Sequence, residues 1–197
     1  MTQTSATSRV LGAAPVPFKM AHFVLRCTRY REVVAWHLKA FQARVVHEND
    51  VLTFITYDDE HHRAAFVKVD GLVERPDNCV GMDHIAYSFR SISDLLAHYQ
   101  RLKTEDITPV WSINHGPTTS LYYRDPEGTM VEFQVDNYGT HDEAAEYFKS
   151  PAFANNPIGV EFDPDVMLAM WQGGATDAQL AIQGTAARPG GNVGPQA

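Results

Sequence analysis

The sequence predicts an α+β fold: two βαβββ modules packed as one domain, with short C-terminal helices appended. Three observations predict it. The order strand, helix, strand, strand, strand can be read twice along the 197-residue chain. A histidine falls in the first strand of each reading, His22 and His84, 62 residues apart. Turn-prone segments, Asn49-Asp50, Asp58 to His62 and Asp125-Pro126-Glu127-Gly128, separate the later strands of the units.

In the first unit, KMAHFVLR from Lys19 reads as a strand containing His22. A helix follows from Arg31 to Phe41, in which Val33, Val34, His37, Leu38 and Phe41 recur at helical spacing. ARVVHE, VLTFITY and RAAFVKV are the three closing strands. In the second unit, GMDHIAY is a strand containing His84. Ser91 to Leu102 is a helix with Ile92, Leu95, Leu96, Tyr99 and Leu102 on one stripe, Ser91 as N-cap and Asp94 three residues on. ITPVWSI, TSLYYR and TMVEFQV close it, the last two joined by the DPEG turn. GTHDEAAEYFKS then reads as a helix. Asp163 caps a final one that has Pro164 at its first position and stops at Gly173. The predicted organisation is a flexible segment over 1–17, modules over 18–72 and 79–137, a helical extension over 138–181 and a disordered tail over 182–197.

With 16 Lys+Arg against 24 Asp+Glu the net charge is −8, and no basic cluster is present, so a nucleic-acid surface is not expected. The 44% hydrophobic content argues against disorder. No run approaches the roughly 18 apolar residues that span a bilayer, and the first residues lack a secretory signal's apolar core, so no membrane partner is expected. Two cysteines, Cys27 and Cys79, are too few for a disulfide scaffold, and a reduced cytoplasm is the expected compartment. Of the nine histidines, His37, His47, His98 and His141 read as surface or helix-face residues.

The informative histidines are those with partners. Taken alone, His22 or His84 reads as a satisfied core side chain; at equivalent places of a repeat they point to one shared centre. In the strand from Thr129 to Val135, Met130, Glu132 and Gln134 share a face. A mid-strand carboxylate among apolar residues is costly unless partnered, and a cation removes that cost. His22, His84 and Glu132 have the composition of the two-histidine, one-carboxylate triad of non-haem Fe(II) sites, and they equally suit catalytic zinc. Composition does not choose between the metals.

From Ile113 to Glu132 the sequence resembles the ring-cleavage signature of the type I extradiol dioxygenases: His115, Leu121-Tyr122, Asp125-Pro126, Gly128 and Glu132. The doubled βαβββ arrangement, from about Lys19 to Val135, resembles the vicinal oxygen chelate superfamily to which those enzymes belong. The chain looks like a one-domain member. The resemblance implies His22, His84 and Glu132 as ligands of Fe(II), with Mn(II) as the alternative metal. It implies Tyr122 as the tyrosine that hydrogen-bonds a substrate or intermediate oxygen, and His115 as the histidine lining the pocket. It implies an acid-base role for one histidine of the Asp58-Asp59-Glu60-His61-His62 turn; His62 is preferred, and without the signature the same turn reads as a solvated hairpin tip.

The implied activity is cleavage of a catechol by dioxygen to a hydroxymuconic semialdehyde type of product, in a homo-oligomer. His62 or His115 is the expected proton donor, with a pKa near working pH, and Tyr122 stabilises charge on oxygen. The other chemistries of the superfamily, a glyoxalase-like lyase or isomerase and a small-molecule binding protein, are the alternatives. A glyoxalase-like site usually draws a second carboxylate from the first module; Ala64, Ala65 and Phe66 stand where it belongs, which leaves three ligands and an open site.

Overall fold

The structure is a computed structural model describing residues 16–191, apart from Glu74 and Asp77. The expected flexible N-terminal segment falls almost wholly outside those residues, as does the far end of the expected tail.

The first module runs β1 (Phe23–Cys27), α1 (Tyr30–Phe41), β2 (Arg44–Glu48), β3 (Leu52–Thr56) and β4 (Ala64–Lys68). The second runs β5 (His84–Ser88), α2 (Ile92–Lys103), β6 (Trp111–Asn114), β7 (Thr118–Arg124) and β8 (Met130–Asp136). After it come α3 (His141–Tyr147), α4 (Pro151–Asn155), β9 (Val160–Glu161), α5 (Pro164–Gln172) and α6 (Asp177–Leu180). Two sheets form, in the orders β1-β4-β3-β2 and β5-β8-β7-β6-β9. β1 pairs parallel with β4, and β5 with β8; every other pairing is antiparallel. His22 sits one residue before β1, while His84 opens β5.

The helices form where the periodicity places them. Tyr30, Val33, Val34, His37 and Ala40 are the buried stripe of α1, and Gln42 ends it in a left-handed conformation. Ser91 caps α2 by accepting from the Asp94 N–H, 3.0 Å away. Asp163 caps α5, with Pro164 at its first position. Short α4 and α6 lie within the expected helical extension, where the sequence reading assigns them no helix of their own, because caps from Ser150 and Thr176 hold single turns that carry no periodic signal. The chain beyond Ala181 departs from the expected disordered tail: Ala187 pairs with Phe162, and the Asp163 and Arg188 N–H groups bond Ala186 and Glu161 carbonyls at 2.9 and 3.1 Å. Its Gly- and Pro-rich composition suits a turn followed by an extended stretch whose backbone is satisfied by residues 161–163.

The modules join through their helical sides. Phe41, at the end of α1, meets Tyr87 and Phe133 edge-on, with ring centroids 4.6 and 5.3 Å away. His37 Nε2 reaches Asp125 Oδ2 at 3.2 Å, both side chains fully buried. Asp125 also holds the DPEG turn by accepting the Glu127 and Thr129 N–H groups. Glu127 in turn accepts from Thr28, and Arg101 donates to the Lys39 carbonyl at 2.8 Å, closing the C-terminus of α1. The helical face of each sheet is therefore core. The opposite faces are not: Val24 is 52% exposed on the first, and Ala86 and Ser88 are exposed on the second.

His37 and His98, expected at the surface or on a helix face, lie on the buried faces of α1 and α2. Burial, with Arg101 adding to it, pushes His98 down to about 4, and burial also lowers His37. The unfolded chain protonates both near pH 6.5, so stability is complete above that value. It falls as the pH drops toward 4, by about 3 kcal/mol for His98 alone. Urea midpoints between pH 4 and 7 test this. His98→Gln should show a clearly shallower acid decline than the parent, and equal slopes would remove His98 as the cause.

Candidate active site and metal centre

The open face of the second sheet carries the signature residues. His84, Ala86 and Ser88 of β5 lie beside Met130, Glu132 and Gln134 of β8 in parallel register, and Tyr122 of β7 pairs directly with Glu132. Alternation along these strands turns Val131, Phe133 and Leu121 into the helical core and leaves His84, Glu132 and Tyr122 together on the other face.

Glu132, 4% exposed, is the centre of the group. Its Oε2 lies 3.0 Å from His84 Nε2, and its Oε1 accepts from the Tyr122 hydroxyl at 2.9 Å. Asp83 Oδ2, 2.7 Å from His84 Nδ1, accepts at that nitrogen and turns Nε2 toward Glu132. His115 Nε2 stands 3.0 Å from the Tyr122 oxygen, and His115 Nδ1 donates to the Ile158 carbonyl. A carbonyl only accepts, so Nδ1 carries the proton of the neutral ring and Nε2 offers a lone pair to Tyr122. Burial lowers His115, which keeps the ring neutral. The single hydroxyl proton of Tyr122 thus faces two acceptors. Burial, with Glu132 beside it, drives the phenol's pKa far up, so Tyr122 remains a neutral donor.

The segment from Asn156 to Phe162 covers one side of this group. It comes close because Gly159, at φ 119°, lies where any Cβ would stand 2.3 Å from the Asn114 carbonyl oxygen. Gly116, at φ 98°, similarly leaves room for the Tyr147 ring of α3 beside His115. Trp111 packs on Tyr122 with centroids 4.8 Å apart, and its indole N–H donates to Glu161 at 3.1 Å.

The first sheet carries the remaining predicted residues. His22 packs against His62 at 4.4 Å between centroids, and His62 stacks on Phe54 at 4.6 Å and 16°. His61 stands exposed beside them, so His62 is the member of the pair turned onto this face. Burial and the neighbouring His22 lower His62 below the usual histidine range. The structure thus brings His84, Glu132, Tyr122 and His115 together, and places His22 and His62 in a second cluster. Among the described residues no group of three His, Cys, Asp or Glu side chains is arranged so that it could hold one metal ion.

Register now aligns the modules residue by residue. Val24 pairs with Ala65 as Ala86 pairs with Glu132, and Phe54 stands beside Ala65 as Tyr122 stands beside Glu132. Ala65 is therefore the counterpart of Glu132, and the first module has no carboxylate there. Two contributors escape the sequence reading. For Asp83 the unused signal is an acid directly before a candidate ligand; the Ile158 carbonyl is backbone, and no residue type announces it.

Paired βαβββ modules with an imidazole and a carboxylate on one open sheet face define the class: the chain belongs to the Glyoxalase/Bleomycin resistance protein/Dioxygenase superfamily, whose model matches residues 19–133. Within it, the chain is 46% identical over 147 residues to Biphenyl-2,3-diol 1,2-dioxygenase 2 of Rhodococcus globerulus, an alignment covering 74% of this chain and 77% of that protein. It is 36% identical over 167 residues to Biphenyl-2,3-diol 1,2-dioxygenase 3 of the same organism, covering 84% and 88%. Among solved structures, a glyoxylase/bleomycin resistance protein/dioxygenase domain from Frankia sp. EAN1pec superposes with a TM-score of 0.53 at 16% identity, over 65% of this chain and 98% of that one. The fosfomycin resistance protein FosX of Listeria monocytogenes superposes at 0.50 and 19% identity, over 66% and 99%. These two show the shared fold. No helix among the described residues is long and apolar enough to cross a membrane.

Proposed function

We propose that the protein is an extradiol ring-cleaving dioxygenase acting on a catechol, of the kind its 46%-identical relative is named for. The observation that carries the reading is the linked set His84, Glu132, Tyr122 and His115, held on one open sheet face by bonds of 2.9 to 3.0 Å. An imidazole nitrogen and a carboxylate meeting on adjacent strands are donors that suit a divalent transition metal. His84 and Glu132 would hold it, with His22 as third ligand; Fe(II) is the assigned metal and Mn(II) the alternative. Bound there, the metal would lower the pKa of a catechol hydroxyl and supply a position for dioxygen.

The chain's own groups do the rest. Tyr122, neutral and fixed at both sides, donates to substrate oxygen where negative charge develops. His115, neutral with its proton on Nδ1, accepts at Nε2, so Tyr122 and His115 form a path along which a proton moves at the edge of the site. His62, its basicity lowered, is the second acid-base candidate. A glyoxalase-like chemistry is disfavoured because Ala65 stands where a second carboxylate belongs. Dioxygen and a small aromatic diol are the implied partners.

The test is anaerobic reconstitution with Fe(II), addition of catechol or biphenyl-2,3-diol, and admission of air. Oxygen uptake with a yellow ring-opened product is expected. No uptake with either diol, from protein shown to hold iron, would overturn the reading.

A further inference from the structure

We propose that Asn156 is a positioning residue for His115, fixing through a single peptide group which nitrogen of that ring bears the proton. The proposal rests on the proton-transfer role proposed for His115 and names what sets it. His115 Nδ1 donates to the Ile158 carbonyl, which leaves Nε2 without a proton and turned to the Tyr122 hydroxyl, 3.0 Å away. The Ile158 carbonyl shares a peptide plane with the Gly159 N–H, and across this trans bond the two groups point to opposite sides. Asn156 Oδ1 accepts that N–H at 2.9 Å, while Asn156 Nδ2 donates to the Gly159 carbonyl at 2.7 Å. With the N–H held toward Asn156, the Ile158 carbonyl is directed away from it and onto His115.

The peptide plane needs such a hold. Gly159 lies at φ 119°, and its lack of a Cβ lets the segment touch the backbone of Asn114 and His115. The same freedom leaves the Ile158–Gly159 peptide easy to rotate once its N–H has no partner. Asn156 is itself set from two sides. Its N–H bonds the Ala152 carbonyl at 3.0 Å at the end of α4, and Pro157 after it keeps its backbone out of the helical region, at φ −146° and ψ 82°. Short α4, capped by Ser150, thereby places the clasp. The backbone around His115 is secured separately. Asn114 Oδ1 accepts the Gly116 N–H at 2.8 Å, Asn114 Nδ2 donates to the Ala181 carbonyl at 2.9 Å, and the His115 N–H bonds the Thr118 carbonyl. Losing the Asn156 side chain therefore releases the partner of the ring and leaves the ring's own mounting in place. The proton is then free to sit on Nε2. An Nε2–H donates to the Tyr122 oxygen, and the ring no longer accepts the proton of the phenol.

Ring nitrogens report this without turnover. Long-range proton–nitrogen correlation spectra of the nitrogen-labelled, metal-free protein at about pH 8, where an ordinary imidazole is neutral, separate a proton-bearing from a bare nitrogen. His115→Gln identifies the His115 signals by their loss. The parent should carry the His115 proton on Nδ1. Asn156→Ala should shift most of the ring to the Nε2–H form, while Asn156→Asp, which keeps an acceptor for the Gly159 N–H, should retain the parent pattern. Loaded with iron, Asn156→Ala should lower kcat about tenfold with KM little changed, as a weakened proton transfer requires, and Asn156→Asp should recover most of that loss. An Asn156→Ala ring still protonated on Nδ1, or an Asn156→Asp ring altered as far as that of Asn156→Ala, would overturn the proposal. Circular dichroism confirms folding, and Asn156→Leu, similar in volume and without an acceptor, replaces Asn156→Ala if the latter unfolds. The spectra need neither iron nor substrate. A parent that cleaves no diol therefore defeats the proposed reaction, while the comparison of ring protons still decides the role of Asn156.

Discussion

Glu132→Ala should lose iron to background and reduce ring cleavage by on the order of 10³-fold or more. Glu132 is 4% exposed and bonded on both carboxylate oxygens, to Tyr122 and His84, so its removal strips the proposed centre of its only carboxylate and frees both neighbours. The surrounding sheet has no reason to collapse. β8 keeps its register with β5 and β7 through backbone bonds, and Val131 and Phe133 remain in the core on the opposite face. Circular dichroism should therefore be unchanged. Glu132→Gln, which keeps the shape but not the charge, should also fail to hold iron. Full turnover in either variant would show that Glu132 is not a ligand.

Tyr122→Phe should lower kcat by about 10²-fold while leaving iron content near the parent value and KM little altered, the pattern expected when a donor acts mainly on charge that develops in the transition state. Only one oxygen is removed, and the ring keeps its packing on Trp111. Because burial and Glu132 raise the Tyr122 pKa so far, the phenol does not titrate in the working range, and the acid limb of the parent's pH profile should survive in the variant. Loss of that limb would assign the titration to Tyr122 and overturn its role as a neutral donor. Loss of iron would make it a structural support of Glu132 instead.

Much of the candidate site was legible before any coordinates. Helical stripes at Val33–Val34–His37 and Leu95–Leu96–Tyr99, caps at Ser91 and Asp163, and alternation through Met130, Glu132 and Gln134 are local patterns, and local patterns are set by backbone geometry that recurs in every protein. The DPEG turn was legible as a turn. That it is also the clamp on the other module, through Asp125 to His37 and Glu127 to Thr28, was not, because those partners are about 90 to 100 residues distant in sequence. His37 and His98 show the same limit. A histidine on an amphipathic helix reads as a boundary residue, and only the packing of Phe41, Phe66, Phe89 and Phe133 around them makes them buried.

By itself, then, the sequence determined the α+β class, the doubled module, the strand that His84 opens and the one that carries Glu132, and the signature linking His115 to Tyr122; His22, expected within a strand, lies one residue before β1. Periodicity and turn chemistry act over a few residues, and one chain suffices to express them. Tertiary structure decided which of these groups meet: Glu132 with His84 and Tyr122, His115 with the Ile158 carbonyl, and His22 with His62 on a different sheet. That outcome depends on which faces of two nearly equivalent modules bury each other. Here the helical sides do, because Phe41 and the His37–Asp125 pair are satisfied there, and the faces that carry the candidate ligands are left open.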